Sequence, residues 1–440
     1  MPVFSTLGAI AEFRQGYITP FPPTNANVTR LEGYNVNVAF TPNTTNTGGL
    51  VTYIATSNTG NFSGNTTGNV ITIGNINPFY TYTFDVLASS AGGNSPATTT
   101  TNNVYMSSNL VANGNITYSA NNLVAFDISP NGGLVYAVSS VGRFLRYSRN
   151  SDTGQLSLLG NSNITGYNTF NDIVFSADGN FCYITGGNTS NNFTGIINYN
   201  VAANTTTTTG NVGNVFGSRN IAASPDNKSI FTTGRYSNLA PFLLNYTRNT
   251  TDGNLSLYQS AILPNIAPYD ASVNYRKMVV TKDNKNFLII WQILNGNTVL
   301  MNYPRNTSNT YLNLASQDID LSNALPSYTD LTVSPDNISV YGIRTDSVNV
   351  FSRNTSTGIL TWTSNLTGYN NLYTVEIPAN SIMLTGNVTF NRNLSNGNLT
   401  VESNSASYNG SSTISTVVSS DTKNLYKLRS NAISIFNITS

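Results

Sequence analysis

The 440-residue sequence contains no histidine and only one cysteine, Cys182. Histidine is the commonest general base near neutral pH, and histidine and cysteine are the usual protein ligands of zinc. Hydrolases built on Ser-His-Asp or Cys-His pairs are therefore excluded, and we expect no metal ion and no cofactor. A lone cysteine forms no disulfide within the chain, so packing must supply the stability. We interpret Cys182, between Phe181 and Tyr183, as a small buried apolar residue.

Charged residues are also scarce, at 9% of the chain, against roughly a quarter in ordinary soluble proteins. The net charge is +1 and there is no long basic run, so nucleic acid and anionic membranes are poor candidates for partners. No window has the roughly 18 consecutive apolar residues of a membrane helix, and the first residues make a poor signal peptide. We expect no nucleic-acid partner, no membrane insertion, and a surface wetted by amides and hydroxyls.

Asn-x-Ser/Thr sequons are dense, for example at Asn27, Asn115, Asn249, Asn354 and Asn398. In a chain this rich in asparagine and threonine, most such matches arise by chance. The sequence alone therefore supports glycosylation only weakly.

Residues 21–103 show the pattern of a small antiparallel β-sandwich. Val36, Val38 and Phe40 alternate with polar residues, and further apolar runs follow at 70–73 and 82–88. Glycines separate these runs, which is typical of short strands joined by turns. We therefore predict a sandwich of short antiparallel strands.

The segment INPFYTYTFDVLASSAGGNS, residues 76–95, resembles a fibronectin type III phrase: an apolar residue and a proline, then a tyrosine, an alternating strand and a Gly-x-Ser loop. The resemblance implies that Tyr82 is a corner tyrosine whose hydroxyl bonds back to the backbone. It also implies that Phe40 fills the core position where such domains usually place tryptophan. Modules of this kind mostly space or present other domains. We interpret residues 1–20 as an N-terminal arm and candidate anchor.

Residues 104–440 are repetitive. One phrase ends an apolar strand A with Ser/Thr-x-Asp/Asn and begins strand B, as in FDISPNGGLVYAV and LTVSPDNISVYGI. Proline presets φ, and Asp, Asn and Gly tolerate a left-handed backbone, so the phrase predicts a hairpin. Its seven copies recur about every 50 residues, a period typical of propeller blades. The copies are centred on Ser129, Ser176, Ser224, Thr281, Ser334, Ile377 and Ser419.

A second phrase closes most units: strand C ends on an aromatic residue, a polar turn follows, and Gly-x-Leu begins strand D, as in YSRNSDTGQLSL. The seventh unit ends in FNITS, without room for a fourth strand. NGNITYSA, residues 113–120, matches strand D of the sixth unit, NGNLTVES, and precedes the first unit. We predict an all-β chain: the sandwich, then a seven-bladed β-propeller in which strand 113–120 pairs with the last blade and removes the open edges.

The paired phrases resemble the lactonase-type propeller family that includes 6-phosphogluconolactonase. The resemblance implies that the arginines and aspartates of these phrases tie blades together rather than contact a substrate. The arginines would lie at blade edges and the aspartates in turns. These residues are Arg149, Arg248, Arg305, Arg353 and Arg392, and Asp178, Asp226, Asp283, Asp336 and Asp421.

Strand A of each unit is expected to line the central channel. Residues four positions before the hairpin Ser/Thr are mostly polar, whereas the set two positions before it, which includes Asp127, is mostly small and apolar. Two carboxylates and a lysine in the first set are suited to a cation or a sugar, so we predict a shallow ligand site at a channel mouth. The alternative is a water-filled channel with no ligand. The site residues are Asp172, Asn220, Lys277 and Asp330; Ala125, Tyr373 and Ser415 complete that set.

These features favour a non-enzymatic structural or attachment protein displayed on the outside of a virus particle or fibre. The segment FSTLGAIAEFRQGY, 4–17, resembles N-terminal peptides that precede fibronectin-like domains in surface proteins of large DNA viruses. The arm would dock on a partner as an added strand, the sandwich would act as a spacer, and the propeller would be presented. Expected partners are other virion or fibre proteins, further copies of the chain, and host surface glycans. The expected location is the virion surface.

Two alternatives stay open. The first is a carbohydrate-binding adhesin, extracellular or on a cell surface, because tyrosine-rich loops suit sugar stacking. The second is a lactonase-like enzyme, which needs a base to activate water and a positive charge to stabilise the oxyanion. Lys277, Arg276 and a nearby carboxylate are the residues available for that role.

Overall fold

A computed structural model gives the fold of the chain in two compact units, Met1–Ser108 with Ser440, and Asn109–Thr439. The predicted N-terminal arm lies almost wholly outside the described residues, as does Tyr373. The residues that the structure describes are 18–31, 35–43, 49–74, 76, 81–105, 109–118, 122–188, 193–209, 215–236, 241–262, 275–292, 298–314, 318–319, 328–369, 372, 374–379, 382–385, 388–393, 396–404 and 413–439.

Ten short strands lie in the described part of the first unit. They are β1 (Thr24–Leu31), β2 (Asn35–Thr41), β3 (Thr52–Ser57), β4 (Ser63–Thr66), β5 (Val70–Ile73), β6 (Thr81–Tyr82), β7 (Phe84–Ser90), β8 (Gly93–Asn94), β9 (Thr98–Thr99) and β10 (Val104–Tyr105). One sheet has the order β1-β2-β5, and a second has the order β4-β3-β7-β8, with β9 also paired to β7. A two-stranded pair joins β10 to β6.

The two larger sheets of the first unit share one apolar core. The alternation predicted for the second strand is present, since Val36, Val38 and Phe40 of β2 are buried. Phe40 packs on Tyr53 of the opposite sheet, with ring centroids 4.7 Å apart, and Tyr82 is fully buried in the same cluster. The unit is therefore a β-sandwich.

The described residues of the second unit form 28 strands. The first is β11 (Asn109–Thr117). The next sixteen, in groups of four, are β12 (Leu123–Ile128), β13 (Leu134–Ser139), β14 (Arg143–Arg149), β15 (Leu156–Asn163); β16 (Thr169–Phe175), β17 (Phe181–Asn188), β18 (Phe193–Asn200), β19 (Thr205–Thr209); β20 (Val215–Ala223), β21 (Ser229–Tyr236), β22 (Pro241–Arg248), β23 (Leu255–Ile262); β24 (Tyr275–Val280), β25 (Asn286–Gln292), β26 (Thr298–Pro304), β27 (Asp318–Ile319). The remaining strands are β28 (Asp330–Val333), β29 (Ser339–Ile343), β30 (Ser347–Arg353), β31 (Leu360–Thr367); β32 (Val375–Ala379), β33 (Ile382–Thr385), β34 (Val388–Arg392), β35 (Leu399–Asn404); β36 (Ser415–Val418), β37 (Asn424–Arg429), β38 (Ala432–Thr439).

These strands form seven four-stranded antiparallel sheets. Six of the sheets take their four strands consecutively from the chain, and we number them blades 1 to 6 from β12 to β35. Blade 7 has the order β11-β38-β37-β36. The first strand of each blade contacts the first strand of the next, and β36 contacts β12, so the inner strands close a ring. The predicted seven-bladed propeller is confirmed.

The ring is closed by strand β11, which comes before blade 1 but pairs with the last strand of the chain. Ile116 lies opposite Ile433 and Ala112 lies opposite Phe436, with an irregularity between Ala112 and Gly114. Blade 7 is thus built from both ends of the unit. An open array would leave unpaired backbone groups along the outer edge of β38, and the pairing with β11 removes them.

Apolar side chains between neighbouring blades form the core of the second unit. Second strands are strongly buried where their burial is described, as in β17, where seven consecutive residues are buried. The outer strands alternate between exposed and partly buried residues, as in β15. Cys182 lies in the cluster between blades 1 and 2 and is buried and unpaired, as expected for a small apolar residue.

Candidate functional site

The central channel holds a cavity of about 410 Å³ whose walls come from the inner strands of all seven blades. All four residues of the predicted ligand site, Asp172, Asn220, Lys277 and Asp330, line it. Ala125 and Ser415, from the same sequence set, line it as well, and so does Asp127. The predicted set therefore supplies half of the polar residues of the wall, and it leaves out Asp127, which the sequence placed in the mostly apolar set.

The carboxylate of Asp172 links two blades. Its Oδ1 accepts the Ile173 N–H at 2.9 Å within blade 2, and its Oδ2 accepts the Ile221 N–H at 3.0 Å in blade 3. Each oxygen therefore satisfies a buried backbone donor on one of two adjacent inner strands. Such charge-assisted bonds to backbone amides are stronger than neutral ones.

Two other acids repeat this arrangement around the channel. Asp127 accepts the Ile128 N–H at 2.8 Å and the Phe175 N–H at 2.8 Å, which joins blade 1 to blade 2. Asp330 accepts the Leu331 N–H at 2.8 Å and the Val375 N–H at 2.9 Å, which joins blade 5 to blade 6. We call Asp127, Asp172 and Asp330 the channel carboxylates. All three serve as bridges between inner strands.

Lys277 is the cation that faces these acids. Its Nζ lies 3.7 Å from Asp330 Oδ1, and its side chain is 36% exposed, whereas that of Asp330 is 7% exposed. Burial raises the pKa of Asp127 and of Asp172 to about 6, although backbone hydrogen bonds and the charge of Lys277 act in the opposite direction. Burial also raises the pKa of Asp330, although the charge of Lys277 and backbone hydrogen bonds act to lower it. Burial therefore makes it costly to keep the channel carboxylates ionised, and backbone N–H groups and one lysine stabilise their charged form.

Asn220 contributes an amide to the same wall. It lies on β20 opposite Thr233, and its backbone carbonyl accepts a hydrogen bond from the Thr232 hydroxyl at 2.9 Å. The channel thus presents carboxylates, an amide and an ammonium to its interior. The described residues contain no group of three or more acidic, cysteine or histidine side chains arranged to hold a metal ion.

A second polar network lies where the hairpins and the turns after strand C meet at one end of the blades. Arg149 of blade 1 donates to both carboxylate oxygens of Asp421 in the hairpin of blade 7, at 2.9 Å each. The arginines are almost fully buried and the aspartates are partly exposed. We call each such pair an inter-blade clasp. The five clasps are Arg149–Asp421, Arg248–Asp178, Arg305–Asp226, Arg353–Asp283 and Arg392–Asp336.

Each clasp aspartate also organises its own hairpin. In blade 2 the Ser176 hydroxyl donates to Asp178 Oδ1 at 2.5 Å, and the Asn180 N–H donates to the same oxygen at 3.0 Å. Burial alone would raise the pKa of Asp178, but these bonds and Arg248 outweigh it and lower the pKa below its ordinary value. The Ser-x-Asp phrase therefore shapes the hairpin and presents a fixed carboxylate to the next blade.

Tyrosines and glycines complete three of the clasps. Tyr426 accepts a hydrogen bond from Arg149 Nε at 2.8 Å and donates one to the Gly154 carbonyl at 2.8 Å. Gly154 has φ +73°, and a Cβ there would collide with the Asn424 side chain of blade 7. The glycine of the second phrase is therefore required twice, for its backbone conformation and for close approach to the preceding blade. Tyr183 and Tyr341 donate to Gly253 and Gly397 in the same way.

Two blade interfaces lack both partners of the clasp. At the interface of blades 1 and 2, Asn131 occupies the aspartate position and Val201 the arginine position. At the interface of blades 6 and 7, Ala379 and Ile438 occupy those positions. Neither interface keeps one buried charge without the other, as expected because an unpaired buried charge is far more costly than none.

A different contact joins blades 1 and 2. Arg146 Nη1 donates to the Tyr199 hydroxyl at 2.7 Å and to Asn204 Oδ1, and its guanidinium lies 5.6 Å from the Tyr199 ring centroid. Phe144 packs edge-on to the same ring at 5.0 Å. Sequence reasoning missed Arg146 because it lies outside both repeated phrases. The only signal was the loss of the expected arginine from blade 2.

The fold and these two networks define an all-β protein with a β-sandwich and a seven-bladed propeller. No protein-family model matches the chain, and no curated protein sequence matches it. Among solved structures, a chain of the Mitotic Checkpoint Complex is similar at 12% identity and a TM-score of 0.56, covering 77% of this chain and 94% of that one. This likeness concerns the fold alone.

Two further solved structures, from Bacteroides uniformis and Bacteroides fragilis, are provisionally named 6-phosphogluconolactonases. They are 17% and 15% identical to this chain, each with a TM-score of 0.49. The first alignment covers 80% of this chain and 95% of the other, and the second covers 82% and 96%. Similarity this distant says nothing about activity. No helix among the described residues is long and apolar enough to cross a membrane.

Proposed function

We propose that this chain is a non-enzymatic structural or attachment protein displayed on the outside of a virus particle or fibre. The observation that carries the proposal is the structural role of the recurring charged residues. The charged residues that recur in the blades form clasps between blades, and the channel carboxylates bridge inner strands. These charged residues therefore hold the ring together, in a chain where only 9% of residues are charged. Most exposed polar residues of the described blades are asparagine, threonine and serine, which suits display.

In this proposal the chain divides into an arm of residues 1–20, a spacer of residues 21–103 and a presented propeller of residues 104–440. The fibronectin type III resemblance belongs to the spacer. Its support is the two-sheet core in which Tyr82 is fully buried and Phe40 packs against Tyr53. Modules of this type commonly space other domains, and many unrelated functions use them.

The proposed partners are other virion or fibre proteins, further copies of the chain and host surface glycans, at the virion surface. The arm would add a strand to a partner's sheet, because extended peptides gain backbone hydrogen bonds in this way. Many copies on one particle would turn weak contacts of the propeller into avidity.

The test compares particles assembled with the full chain and with a chain that lacks residues 1–20. The full chain should sediment with particles, and the shortened chain should stay in the supernatant with its propeller folded. The control is the full-length Thr98→Ala variant, prepared in the same way. Because Thr98 lies in the spacer and not in the arm, this variant should sediment with particles as the full chain does. Equal incorporation of the shortened chain would refute the anchor, and absence of the full chain from particles would refute the display role.

A glycan-binding adhesin is the second candidate, and exposed aromatic residues favour it. Trp362 is 56% exposed on the outer strand of blade 5, where its neighbours Thr361 and Thr363 are also exposed. Sugars stack on aromatic faces, and uncharged hydroxyls suit their polar edges. Because the chain has two tryptophans, glycan titration can be followed by fluorescence, with Trp362→Phe as the control. Unchanged emission over all glycans tested would remove this candidate.

A ligand site in the central channel is a further proposal. Asp172, Asn220, Lys277 and Asp330 would hold a cation or a sugar in the 410 Å³ cavity. Calorimetric titration with Ca²⁺, aldonolactones and simple glycans tests it. If a ligand binds to these groups, its heat of binding should be smaller with the Asp172→Ala, Asp330→Ala variant than with the wild-type chain, and unchanged heats would remove the proposal. A lactone turnover assay tests the enzymatic alternative, and we expect no rate above the uncatalysed one.

A further inference from the structure

The turns between strands C and D share one asparagine. It follows each clasp arginine directly; in blade 6 it is Asn393, and the two residues after it lie outside the described part of the chain. Three further asparagines at this position, Asn249, Asn306 and Asn354, are exposed. Each is also the first residue of an Asn-x-Ser/Thr sequon, completed by Thr251, Ser308 and Ser356. The same turn in blade 1 starts at Asn150 but has Asp152 at the third position, so it is not a sequon.

The side chain of this asparagine shapes the turn with its oxygen alone. Asn249 Oδ1 accepts the Thr251 N–H at 2.9 Å, Asn306 Oδ1 accepts the Ser308 N–H at 2.9 Å, and Asn354 Oδ1 accepts the Ser356 N–H at 2.9 Å. None of the three Nδ2 atoms makes a hydrogen bond to another described residue. The amide nitrogen therefore remains available at the surface.

This geometry suits covalent modification at nitrogen. The bond to the third residue holds the carboxamide beside the Ser/Thr side chain, which are the two groups that define a sequon. A sugar on Nδ2 leaves Oδ1 as an acceptor, so the turn keeps its bonds. The clasp arginine next to it stays buried beneath the turn, away from the added sugar.

We propose that Asn249, Asn306 and Asn354 are N-glycosylation acceptor sites, which would place sugars on the outer end of blades 3, 4 and 5. In the reaction, Nδ2 attacks the anomeric carbon of an activated glycosyl donor, a lipid-linked pyrophosphate or a nucleotide sugar. The N–C bond forms as the bond from the anomeric carbon to the diphosphate oxygen breaks, the lipid diphosphate or nucleoside diphosphate leaves, and one N–H proton passes to a base of the transferase. The proposal is independent of the display role, although sugars on this end would shield it from partners.

Two other sequons of the same unit, at Asn227 and Asn337, lack this geometry. In Asn227-Lys-Ser229, the asparagine has φ +62°, its Oδ1 accepts the Asp178 N–H from the neighbouring blade, and Ser229 is buried. In Asn337-Ile-Ser339, Oδ1 accepts the Lys282 N–H from blade 4 and Ser339 is fully buried. A transferase cannot reach the serine of either sequon in the folded protein.

The test is site-resolved glycopeptide mapping of the full chain, both from its natural source and after passage through a eukaryotic secretory pathway. We expect sugar at Asn249, Asn306 and Asn354 and none at Asn227 or Asn337. Thr251→Ala removes the sequon hydroxyl, keeps the backbone bond to Asn249, and should abolish occupancy at that site alone. Asp152→Ser creates a sequon in the matching turn of blade 1 and should add one glycan at Asn150.

Bacterially produced, folded chain provides a second measurement that does not depend on secretion. A soluble N-glycosyltransferase with UDP-glucose should add hexoses at the same three residues, and Asp152→Ser should add one more. The proposal is overturned if the natural protein carries no sugar at these residues. It is also overturned if Asn227 and Asn337 are occupied as fully as the turn sites, or if Asp152→Ser adds nothing.

Discussion

Arg149 Nη2 lies 2.9 Å from Asp421 Oδ2, and this ion pair joins the first blade to the last across 272 residues of sequence. The arginine side chain is 2% exposed and the aspartate 29%. The same contact recurs at four other interfaces between blades that are consecutive in the chain. The ring therefore closes with the contact that its internal joints also use, in addition to the pairing of β11 with β38.

The glycine of the second phrase should be the least replaceable residue of its turn. Gly358 has φ +76°, and an added Cβ would collide with Asn286 of blade 4. Gly358→Ala should lower the free energy of unfolding by about 3 kcal/mol, because left-handed strain and overpacking add. Urea denaturation of the wild-type chain and of Gly358→Ala measures this change in the free energy of unfolding.

The matched control is Gly368→Ala, where φ is +94° but, apart from its chain neighbours, no described residue has an atom within 4 Å of the new Cβ. This variant carries the backbone strain without the collision, so its cost should be about 1 kcal/mol. Equal costs for the two glycines would show that the close approach between blades is unimportant.

The channel carboxylates should make the protein less stable as the pH rises from 4 to 6. The folded-state pKa of Asp172 is about 6, above the ordinary value of 3.8, so the folded state binds more protons than the unfolded state in this window. Relative to Asp172→Asn, the wild-type protein should lose roughly 2 kcal/mol of stability between pH 4 and pH 6.5. A difference that stays constant over this range would contradict the assignment.

The clasp aspartates should have the opposite dependence in a lower window. Hydrogen bonds and arginines lower the pKa of Asp178 and Asp421 below 3.8 against the effect of burial. Their contribution to stability is complete above the unfolded value and is lost as the pH falls through the folded pKa. Acid unfolding of Asp421→Asn should therefore be shallower than that of the wild type below pH 4, as circular dichroism can show.

Lys277 should control the titration of all three channel carboxylates. Its charge lowers the pKa values of Asp127, Asp172 and Asp330, so Lys277→Met should move them further up. Carbon-13 NMR of the aspartate carboxyls measures this, with Lys423→Met in an exposed hairpin as the control. Unchanged pKa values in Lys277→Met would show that the lysine does not act on the acids.

The propeller could be predicted because its repeated phrases encode local geometry. Ser-x-Asp and Arg-Asn-x3-Gly each specify a turn and an inter-blade contact, and the seven copies of the first phrase gave the blade number. The resemblance of 113–120 to 396–403 pointed to the partner of the last strand, and β11 lies there, although it runs over Asn109–Thr117.

The chemistry of the channel was harder to predict. Asp127 lies two residues before its hairpin serine, whereas Asp172 lies four before, yet both bridge inner strands. Both positions lie on the same face, because side chains alternate along a strand and the pairing is regular from Ala125 in blade 1 and from Asp172 in blade 2. The bonds of these acids also depend on where the next blade presents an N–H, and this position has no local sequence signal.

The most direct test of the account is a double-mutant cycle on Arg149 and Asp421, measured by urea unfolding of Arg149→Ala, Asp421→Ala and the double variant. If this pair closes the ring, the two residues should couple by about 2 kcal/mol. The pair Arg344–Asp346, at 3.6 Å, is the control: its arginine side chain is 10% exposed but its aspartate is 61% exposed, so water screens the pair and it should couple by less than about 0.5 kcal/mol. A coupling between Arg149 and Asp421 no larger than that of the control would contradict the account.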